Sequence, residues 1–560
     1  MNLLNRYRYI AIVALLITVF ASCKKDFLNK PPESSIVDVN FYKTDEQVLA
    51  GTSLLYSRVW FEYNDKAQYN LGDFRGGTAY SAWGDRGNVM FNTTGDNNEN
   101  GTAWRSFFTV VAQANLAIYN IEKYAGENVS PAIKKMAIAE ARFMRALAYR
   151  FLVSNWGPVP IVENNVEQLF DTTIRRATVP SVWRYITREM RAAAEDLPAT
   201  PYQAGRLTRW SAEGMLARFY LTRAGVESSG GQRKQEFLDS AKYYAERVIQ
   251  NSGKKLLTNY EDLFRYPYDN NAESLFELQW EYVPDVWGIA NSMPEYLAYN
   301  PDISFGGWGG DKGATWWMMS QYEGFNLQPD GTLKGRTLDL RLRATFMLPG
   351  FYYPEITKVS DGQKLIYPFN GDDYNFLAIK KYVIGSPIDL AGIAAQQRYP
   401  NNTYMLRLAE MYLIYVEAVM GNALQTTDAK AIEYFNLVRT RAGLPPYEVD
   451  GPNGSGPLTW DKLFSERIKE FALEGMAWYD LVSLHYYDPQ KAYEIINSQD
   501  RGLFLTEPDQ MPNPTQWTLT KISWFAERQV NANSGNFQLP IPNAELSQAP
   551  NLQLDPVEFP

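Results

Sequence analysis

The stretch SPAIKKMAIAEARFMRALAYRFLVSNWGP, residues 130–158, decides the fold of this 560-residue chain. Ser130 and Pro131 are typical of a helix start, because a serine hydroxyl caps free N–H groups and proline needs no N–H there. Apolar side chains then recur every three or four residues, as in a helix packed on a neighbour. Trp156-Gly157-Pro158 is a helix stop. The stretch therefore predicts a long packed helix between these two signals.

The same periodicity recurs towards both ends of the chain and predicts a mainly α-helical fold. Several of the later stripes form pairs joined by short turns, and such pairs are similar to tetratricopeptide units, which bury a core by stacking on each other. The single stripes lie at residues 48–59, 104–118 and 182–193, and the paired stripes lie at 212–220 with 237–249 and at 408–419 with 432–438.

Between about residues 251 and 403 the helical periodicity is lost. Phe276, Leu278 and Trp280 alternate with polar residues, which predicts a short strand. The rest is rich in Gly, Pro, Asn, Asp and aromatic residues. A long irregular stretch in a compact protein is typical of a functional region. We therefore expect one domain over residues 41–560, with this segment as a loop-rich insertion.

The N-terminus has the pattern of a bacterial lipoprotein. Two arginines precede an apolar run at residues 10–20, which is too short to anchor the chain in a bilayer. Small residues then lead into Cys23, the only cysteine of the sequence. We expect a signal peptide over residues 1–22, acylation of Cys23 with outer-membrane lipid, and a tether over residues 23–40.

Composition excludes several function classes. Lys and Arg total 54 against 63 Asp and Glu, which gives a net charge of -9 without a long basic run, so we expect no nucleic-acid partner. One histidine and one cysteine exclude a disulfide framework and a Cys/His zinc site. Asp372-Asp373 and residues 96–99 lack EF-hand spacing. We expect neither a metal nor another cofactor.

A set of short motifs follows one order along the chain. It includes Cys23 with Asp26-Phe27-Leu28, AEARFMRA (139–146) leading into WGPVP (156–160), LRLAE (406–410), VRTRAGLP (438–445), Glu466-Arg467, Glu470, Glu474-Gly475, Asp480-Leu481 and LPIP (539–542). In this order the motifs resemble those of the SusD/RagB family of Bacteroidetes outer-membrane lipoproteins.

The resemblance implies a SusD-like fold of four tetratricopeptide-like helix pairs carrying large irregular insertions. It also implies a non-enzymatic role at the outer face of the outer membrane. There the lipoprotein would act as a receptor and lid for a SusC-like TonB-dependent transporter and would hand it a glycan.

Aromatic residues make up 14% of the chain, and many lie outside the helical stripes. A flat ring matches the C–H face of a sugar and loses little rotamer entropy on binding, while neighbouring polar groups bond the hydroxyls. Packing beneath a loop is the alternative for each ring, and we expect at least two in a binding site. The candidate rings are Trp83, Tyr282, Trp287, Trp308, Trp316, Trp317, Tyr352 and Tyr353, and the candidate polar residues are Asp73, Arg75, Asp85 and Arg86.

Other charged residues invite a catalytic interpretation. A glycosidase needs two carboxylates facing one bond, and Glu466, Glu470 and Glu474 share a helical face. They alternate with basic residues at a spacing that ordinarily supports a helix, so a structural role is favoured. His485 is interpreted as a cation at a helix C-terminus.

We therefore predict a receptor that binds oligo- or polysaccharide without breaking a bond. The alternatives are a peptide-binding receptor of the RagB type, a surface glycoside hydrolase, and a tetratricopeptide scaffold that binds only protein.

Overall fold

The computed structural model describes residues 41–82, 86–168, 171, 173–368, 377–454, 456–522 and 527–560. The predicted signal peptide, Cys23 and the tether lie outside these residues. The helices are α1 (Asp45–Ser53), α2 (Arg86–Met90), α3 (Asn98–Tyr124), α4 (Pro131–Trp156), α5 (Val179–Asp196), α6 (Arg209–Val226), α7 (Gln235–Asn251), α8 (Met293–Leu297), α9 (Trp316–Ser320), α10 (Arg341–Thr345), α11 (Leu408–Met420), α12 (Ala429–Arg441), α13 (Trp460–Phe471), α14 (Ala477–His485), α15 (Pro489–Ser498) and α16 (Asn543–Gln548).

The strands are short and form small antiparallel sheets. A four-stranded sheet has the order β13-β14-β5-β4, and the other pairs are β1 with β3, β2 with β10, β6 with β9, β7 with β8, and β11 with β12. Their bounds are β1 Ala79–Ser81, β2 Ser274–Leu278, β3 Lys312–Ala314, β4 Phe325–Leu327, β5 Leu333–Gly335, β6 Phe346–Met347, β7 Tyr352–Thr357, β8 Lys364–Ile366, β9 Ala378–Ile379, β10 Thr403–Arg407, β11 Gln425–Thr426, β12 Leu458–Thr459, β13 Phe504–Pro508 and β14 Trp517–Lys521.

The long helices stack in chain order, which confirms the predicted mainly α fold. Helix α3 packs on α4, α4 on α5, α5 on α6 and α6 on α7. Helix α7 then packs on α11, and α11 packs on α12. Because α7 and α11 are neighbours in space, the residues between them leave the helical stack uninterrupted. The loop-rich insertion predicted over residues 251–403 is therefore attached at one position of a continuous scaffold.

Helix α4 begins and ends at the residues that the sequence predicted. The Ser130 hydroxyl accepts a hydrogen bond from the N–H of Ile133, and Gly157 leaves the helix with a φ of 71°. The helix is more deeply buried than a one-sided stripe implies, because nearly every residue from Ala139 to Trp156 is buried. Contacts with α1, α3 and α5 cover several of its faces, so α4 is the centre of the core.

The stripe at residues 48–59 does not form one helix. Helix α1 ends at Ser53, and two 3₁₀ turns, Leu54–Tyr56 and Arg58–Trp60, follow it. Ser57 lies between these turns with φ -142° and ψ -83°, a backbone conformation that no helix contains. The apolar side chains still reach the core. The periodicity therefore predicted correctly that these side chains are buried, and it was wrong in predicting one continuous helix.

The predicted strand at residues 276–280 is β2, and its partner β10 comes from the far end of the insertion. Ser274 pairs with Arg407 and Leu278 with Thr403, so the two ends of the insertion meet. Both strands are buried along their whole length. The alternating pattern therefore predicted the strand correctly, but both faces of the strand are covered. The side chain of Glu277, on the face with polar residues, is buried as well.

Buried ion pairs fix the insertion to the helices. Arg341 of the insertion pairs with Glu466 at 2.7 Å, and Arg407 pairs with Glu470 at 3.0 Å and with Glu474 at 2.7 Å. These three carboxylates are the ones for which a structural role was favoured over catalysis. Arg341 lies in the insertion and Arg407 lies at the end of β10, so the carboxylates have partners outside their own helix as well as within it. The predicted shared helical face does not include Glu474, because α13 ends at Phe471.

Candidate functional site

The aromatic residues of the insertion divide into exposed and buried rings. Trp287 is 52% exposed, Tyr352 is 49% exposed and Trp308 is 44% exposed, whereas Trp316 and Tyr353 are buried. Tyr282 and Trp317 are half-buried. Only exposed or half-buried rings can offer a face to a ligand without unfolding the loop around them.

A segment before β1 supports two of the exposed rings. Phe61 is followed by two π-helical turns, Tyr63–Ala67 and Asn70–Phe74. Phe61 lies two residues before the first of these turns, and Lys66 lies within it. π-Helical turns are unusual and occur often at functional sites.

Trp287 contacts this segment at Phe61, and Trp308 contacts it through Tyr296. The ring of Trp287 meets the ring of Phe61 edge to face, with 5.3 Å between centroids. The ring of Trp308 meets Tyr296 in the same way at 5.2 Å, and the ammonium of Lys66 is 5.1 Å from the centroid of Tyr296. We call Trp287, Tyr296 and Trp308, with Phe61 and Lys66, the aromatic platform.

Hydrogen bonds hold the loop of Trp308 against helix α8. The N–H of Trp308 donates to the carbonyl oxygen of Glu295 at 2.9 Å, and the N–H of Gly309 donates to the carbonyl of Ala298. Gly307 has a φ of 61°, and an added Cβ there would lie 1.9 Å from the backbone of Asn300. A glycine is needed at this position because the two backbones are in contact.

Polar side chains border the aromatic platform. The amide of Gln397 donates to the hydroxyl of Tyr296 at 3.4 Å, and the guanidinium of Arg398 lies 6.0 Å from the ring of Tyr282. The carboxylate of Glu295 accepts the backbone N–H of Gln397, and burial raises the pKa of Glu295. Rings beside amide and guanidinium donors are groups that can stack on a sugar and bond its hydroxyls.

Asp73 and Arg75 were predicted as ligand contacts, and the structure places both in the core. The Asp73 carboxylate accepts the N–H groups of Leu473 and Gly475 at 2.6 and 2.8 Å, and burial raises its pKa to about 7. The Arg75 guanidinium donates to the carbonyls of Asn536 and Phe537, and burial lowers its pKa to about 9. Both residues join distant backbone segments and lie out of a ligand's reach.

Two of the predicted rings, Trp316 and Tyr353, are also buried, because each contacts another part of the chain. Trp316 packs against Phe504 at 5.8 Å between centroids. The Tyr353 hydroxyl donates to the carbonyl of Arg343 at 3.1 Å. Trp317, which is half-buried, lies against Phe464 of α13. Trp316 and Trp317 join the insertion to later parts of the chain, Tyr353 packs within the insertion, and we leave all three out of the platform.

The remaining candidates lie elsewhere or outside the described residues. Tyr352 is opposite Ile366 in the β7-β8 hairpin, and both are exposed. Arg86 forms an ion pair with Glu527. Trp83 and Asp85 lie outside the residues that the structure describes, between Ala82 and Arg86, so their place in a site stays a prediction.

The prediction from the sequence did not include three platform residues, Phe61, Lys66 and Tyr296. Phe61 and Lys66 lie far from the insertion in the chain, and Tyr296 belongs to a short helix. One signal was available, because Tyr296 lies in the same aromatic-rich segment as Trp287 and Trp308. Among the described residues, no group of three His, Cys, Asp or Glu side chains comes close enough to hold a metal ion. No helix in the same part of the chain is long and apolar enough to cross a membrane.

Comparison with known proteins gives consistent matches. Residues 273–556 match a family model described as "SusD family", and residues 26–221 match one described as "Starch-binding associating with outer membrane". A SusD-like protein of Bacteroides ovatus is 34% identical over 98% of this chain and 97% of its own length.

Solved structures are also similar to this chain. One solved with a xylogluco-oligosaccharide is 32% identical, with a TM-score of 0.78 over 92% of this chain and 99% of that chain. A laminarin-binding SusD-like protein is 22% identical, with a TM-score of 0.65 over 93% of this chain and 100% of that chain. At 22% identity, the similarity to the laminarin-binding protein shows a shared fold only.

Proposed function

This chain belongs to the SusD family, and on that basis we propose that it is a surface receptor that binds an oligo- or polysaccharide. The receptor keeps the glycan intact and delivers it to a SusC-like TonB-dependent transporter. Acylated Cys23 anchors it to the outer membrane with the binding surface towards the cell exterior.

The observation that carries the proposal is the exposure of Trp287 and Trp308, whose rings are supported by Phe61 and Tyr296. An indole ring in water is unfavourable by roughly 1.5–3 kcal/mol compared with a buried one, so large exposed rings are a cost unless a ligand covers them. Two rings held by Phe61 and Tyr296 give flat apolar surface for successive sugar units. Gln397 and Lys66 supply donors beside Tyr296, and Arg398 supplies donors beside Tyr282.

The first ligand to test is a xylogluco-oligosaccharide. The support is the solved structure with that ligand, which is similar to this chain over nearly its whole length. An open platform suits an extended glycan chain, because rings side by side can stack on several units at once. Trp83 remains in the proposed site as a further ring.

The experiment is a titration of the purified protein with xylogluco-oligosaccharide, followed by calorimetry and by analysis of the recovered glycan. We expect saturable binding with unchanged glycan. The double variant Trp287→Ala/Trp308→Ala should lose most of the binding. Tyr243→Ala, which removes an exposed ring from helix α7 of the scaffold, is the matched control and should bind as the wild type does.

The alternatives predict other outcomes of the same experiment. Released reducing ends would identify a glycoside hydrolase. Binding of peptides with no response to any glycan would favour a RagB-like receptor. A scaffold that binds only protein would respond to neither ligand. Wild-type affinity in the double variant would remove the platform from the proposal even if glycan binding were found.

The transporter partner is tested separately. Detergent extracts of outer membranes that contain the tagged lipoprotein should yield a SusC-like barrel protein in stoichiometric amount. We expect the platform variant to retain this partner, because the two substitutions change only exposed rings that we assign to the glycan. Purification of the lipoprotein alone, under conditions that preserve other outer-membrane complexes, would contradict delivery to such a transporter.

A further inference from the structure

A small polar cavity lies where helices α4, α6, α11, α13 and α14 meet, apart from the aromatic platform. Its volume is about 30 Å³, which is room for one or two particles of the size of a water molecule. Its charged lining residues are Arg150, Arg218, Arg467, Glu410, Glu417 and Asp480. The cavity therefore brings three arginines and three carboxylates together with apolar side chains.

The carboxylates around the cavity already have arginine partners. Arg218 donates to Glu410 at 2.8 Å through Nε. Arg467 donates to both oxygens of Asp480, at 2.9 Å through Nε and 2.7 Å through Nη2. The third carboxylate, Glu417, accepts from Arg233 at 2.8 Å. Each carboxylate at the cavity is thus held by at least one guanidinium, and Glu410 also lies 3.7 Å from Arg467.

Arg150 is the arginine that remains. It is 4% exposed, and its guanidinium lies 3.9 Å from the centroid of the Tyr479 ring. No carboxylate of the described residues lies within 4.0 Å of it, and none of their atoms accepts a hydrogen bond from it. Nη1 of Arg467 is also buried without an acceptor. N–H groups of two arginines therefore lack acceptors at one small cavity.

The lining of the cavity carries three arginines and three carboxylates. Because Glu417 pairs with Arg233, which lies outside the lining, Arg150 is the lining arginine left without a carboxylate partner. Burial lowers the pKa of Arg150 to about 10, so its guanidinium is still protonated at neutral pH. Asp73 is not a cavity residue, and its carboxylate is bonded by backbone N–H groups.

An unpaired buried cation is unfavourable, and the neighbouring ring compensates only part of its lost hydration. We propose that the cavity binds one small monovalent anion, of the chloride class, between Arg150 and Nη1 of Arg467. The anion joins helices from before and after the insertion, so it stabilises the scaffold.

The first test measures Tm as chloride replaces gluconate at constant ionic strength. The wild type should show a rise in Tm that saturates with chloride concentration. Arg150→Gln removes the unpaired charge and should show no chloride dependence. Arg191→Gln, an exposed arginine of α5, is the control and should respond as the wild type does. A wild-type Tm that does not change with chloride concentration, or an equal rise in Tm for Arg150→Gln, would overturn the proposal.

The second test needs only the wild type and so covers a variant that fails to fold. Crystals grown in bromide should give an anomalous difference peak in the cavity within hydrogen-bond distance of Arg150. Density without an anomalous signal would mean that water occupies the cavity, and the proposal would then be wrong. Neither test uses a glycan, so both outcomes are independent of the platform.

Discussion

Trp308 and Trp316 lie in one glycine-rich stretch but in opposite environments. Trp308 is 44% exposed, whereas Trp316 is 6% exposed and packs on Phe504. Their neighbours in sequence are too alike to separate them. Exposure is decided by Phe504, which is far along the chain, and composition alone carries no information on that contact. The sequence thus predicted that rings of this region would include ligand contacts but not which ones.

The two tryptophans should respond to alanine substitution in opposite ways. Trp308→Ala should weaken glycan binding by roughly 1–3 kcal/mol, as expected of a central contact, and leave Tm nearly unchanged. Trp316→Ala should reduce the free energy of unfolding by about 3–5 kcal/mol, because it opens a cavity beside Phe504. Calorimetric titration and denaturant unfolding check both. Early unfolding of Trp308→Ala with normal glycan affinity would identify Trp308 as a core residue.

His485 ends helix α14, as the sequence predicted, but it is not a cation at neutral pH. Its ring stacks on Phe537 at 3.8 Å between centroids, and its Nε2 is 2.9 Å from the hydroxyl of Tyr493. Burial lowers its pKa from 6.5 to about 4. The helix-capping interpretation from the sequence is therefore wrong in its charge, because the ring is held between apolar neighbours.

This lowered pKa makes stability depend on pH in a defined window. Between pH 6.5 and 4, His485 is protonated in the unfolded chain but neutral in the folded protein. The free energy of unfolding therefore falls as pH falls through this range. Allowing for partial exposure, the loss should be on the order of 2 kcal/mol. The contribution is complete above pH 6.5. Urea unfolding at several pH values, compared between wild type and His485→Phe, isolates this residue, and parallel curves would contradict it.

We propose that Cys23 serves membrane attachment and not folding. It precedes the folded scaffold, which begins after the expected tether, so Cys23→Ala should leave the melting temperature of the folded part unchanged. The variant should move from the membrane fraction to the soluble fraction, because it has no acyl chains to bury. Fractionation with and without detergent checks this. Membrane association of Cys23→Ala that still needs detergent for release would contradict lipid anchoring.

Among the secondary-structure elements, the long helices were predictable and their insertion contacts were not. Apolar spacing of three and four residues is a local signal, and it predicted α3 to α7, α11 and α12. Helix α1 was predicted too long because the backbone break at Ser57 is not coded by the stripe. The contacts of Arg341 and Arg407 with α13 and the residues after it join segments far apart in sequence, and periodicity does not report such pairs.

The pairing of Arg407 is the element contact with the largest expected effect. Its guanidinium bonds Glu470 and Glu474, and all three side chains are buried. Arg407→Met leaves buried carboxylates without this partner, which should cost about 3–5 kcal/mol of unfolding free energy. Arg184→Met breaks the exposed pair with Glu558 and should cost less than about 1 kcal/mol. Equal costs in denaturant unfolding would mean that this network does not hold the insertion.

On the scale of the whole molecule, the scaffold and the binding surface have different origins. The helices stack continuously from α3 to α12 across the insertion. The platform, by contrast, combines Phe61 and Lys66 from before the scaffold with rings from within the insertion. The sequence could therefore predict the fold class from local patterns. It could predict the site only as a region, because the site exists where two distant segments meet.

The charge of the whole molecule leads to a last prediction about the ligand. The net charge is -9, yet the groups bordering the platform include the cations Lys66 and Arg398. A neutral glycan releases no counterions on binding, so its affinity should change less than about twofold between roughly 50 and 500 mM added sodium gluconate at fixed chloride. An acidic glycan or peptide would instead bind through those cations and weaken steeply as salt rises. Calorimetric titration across this range checks the prediction, with Lys66→Gln as the matched variant. A steep slope that disappears in Lys66→Gln would show that the ligand is anionic and that neutral xylogluco-oligosaccharides are the wrong class.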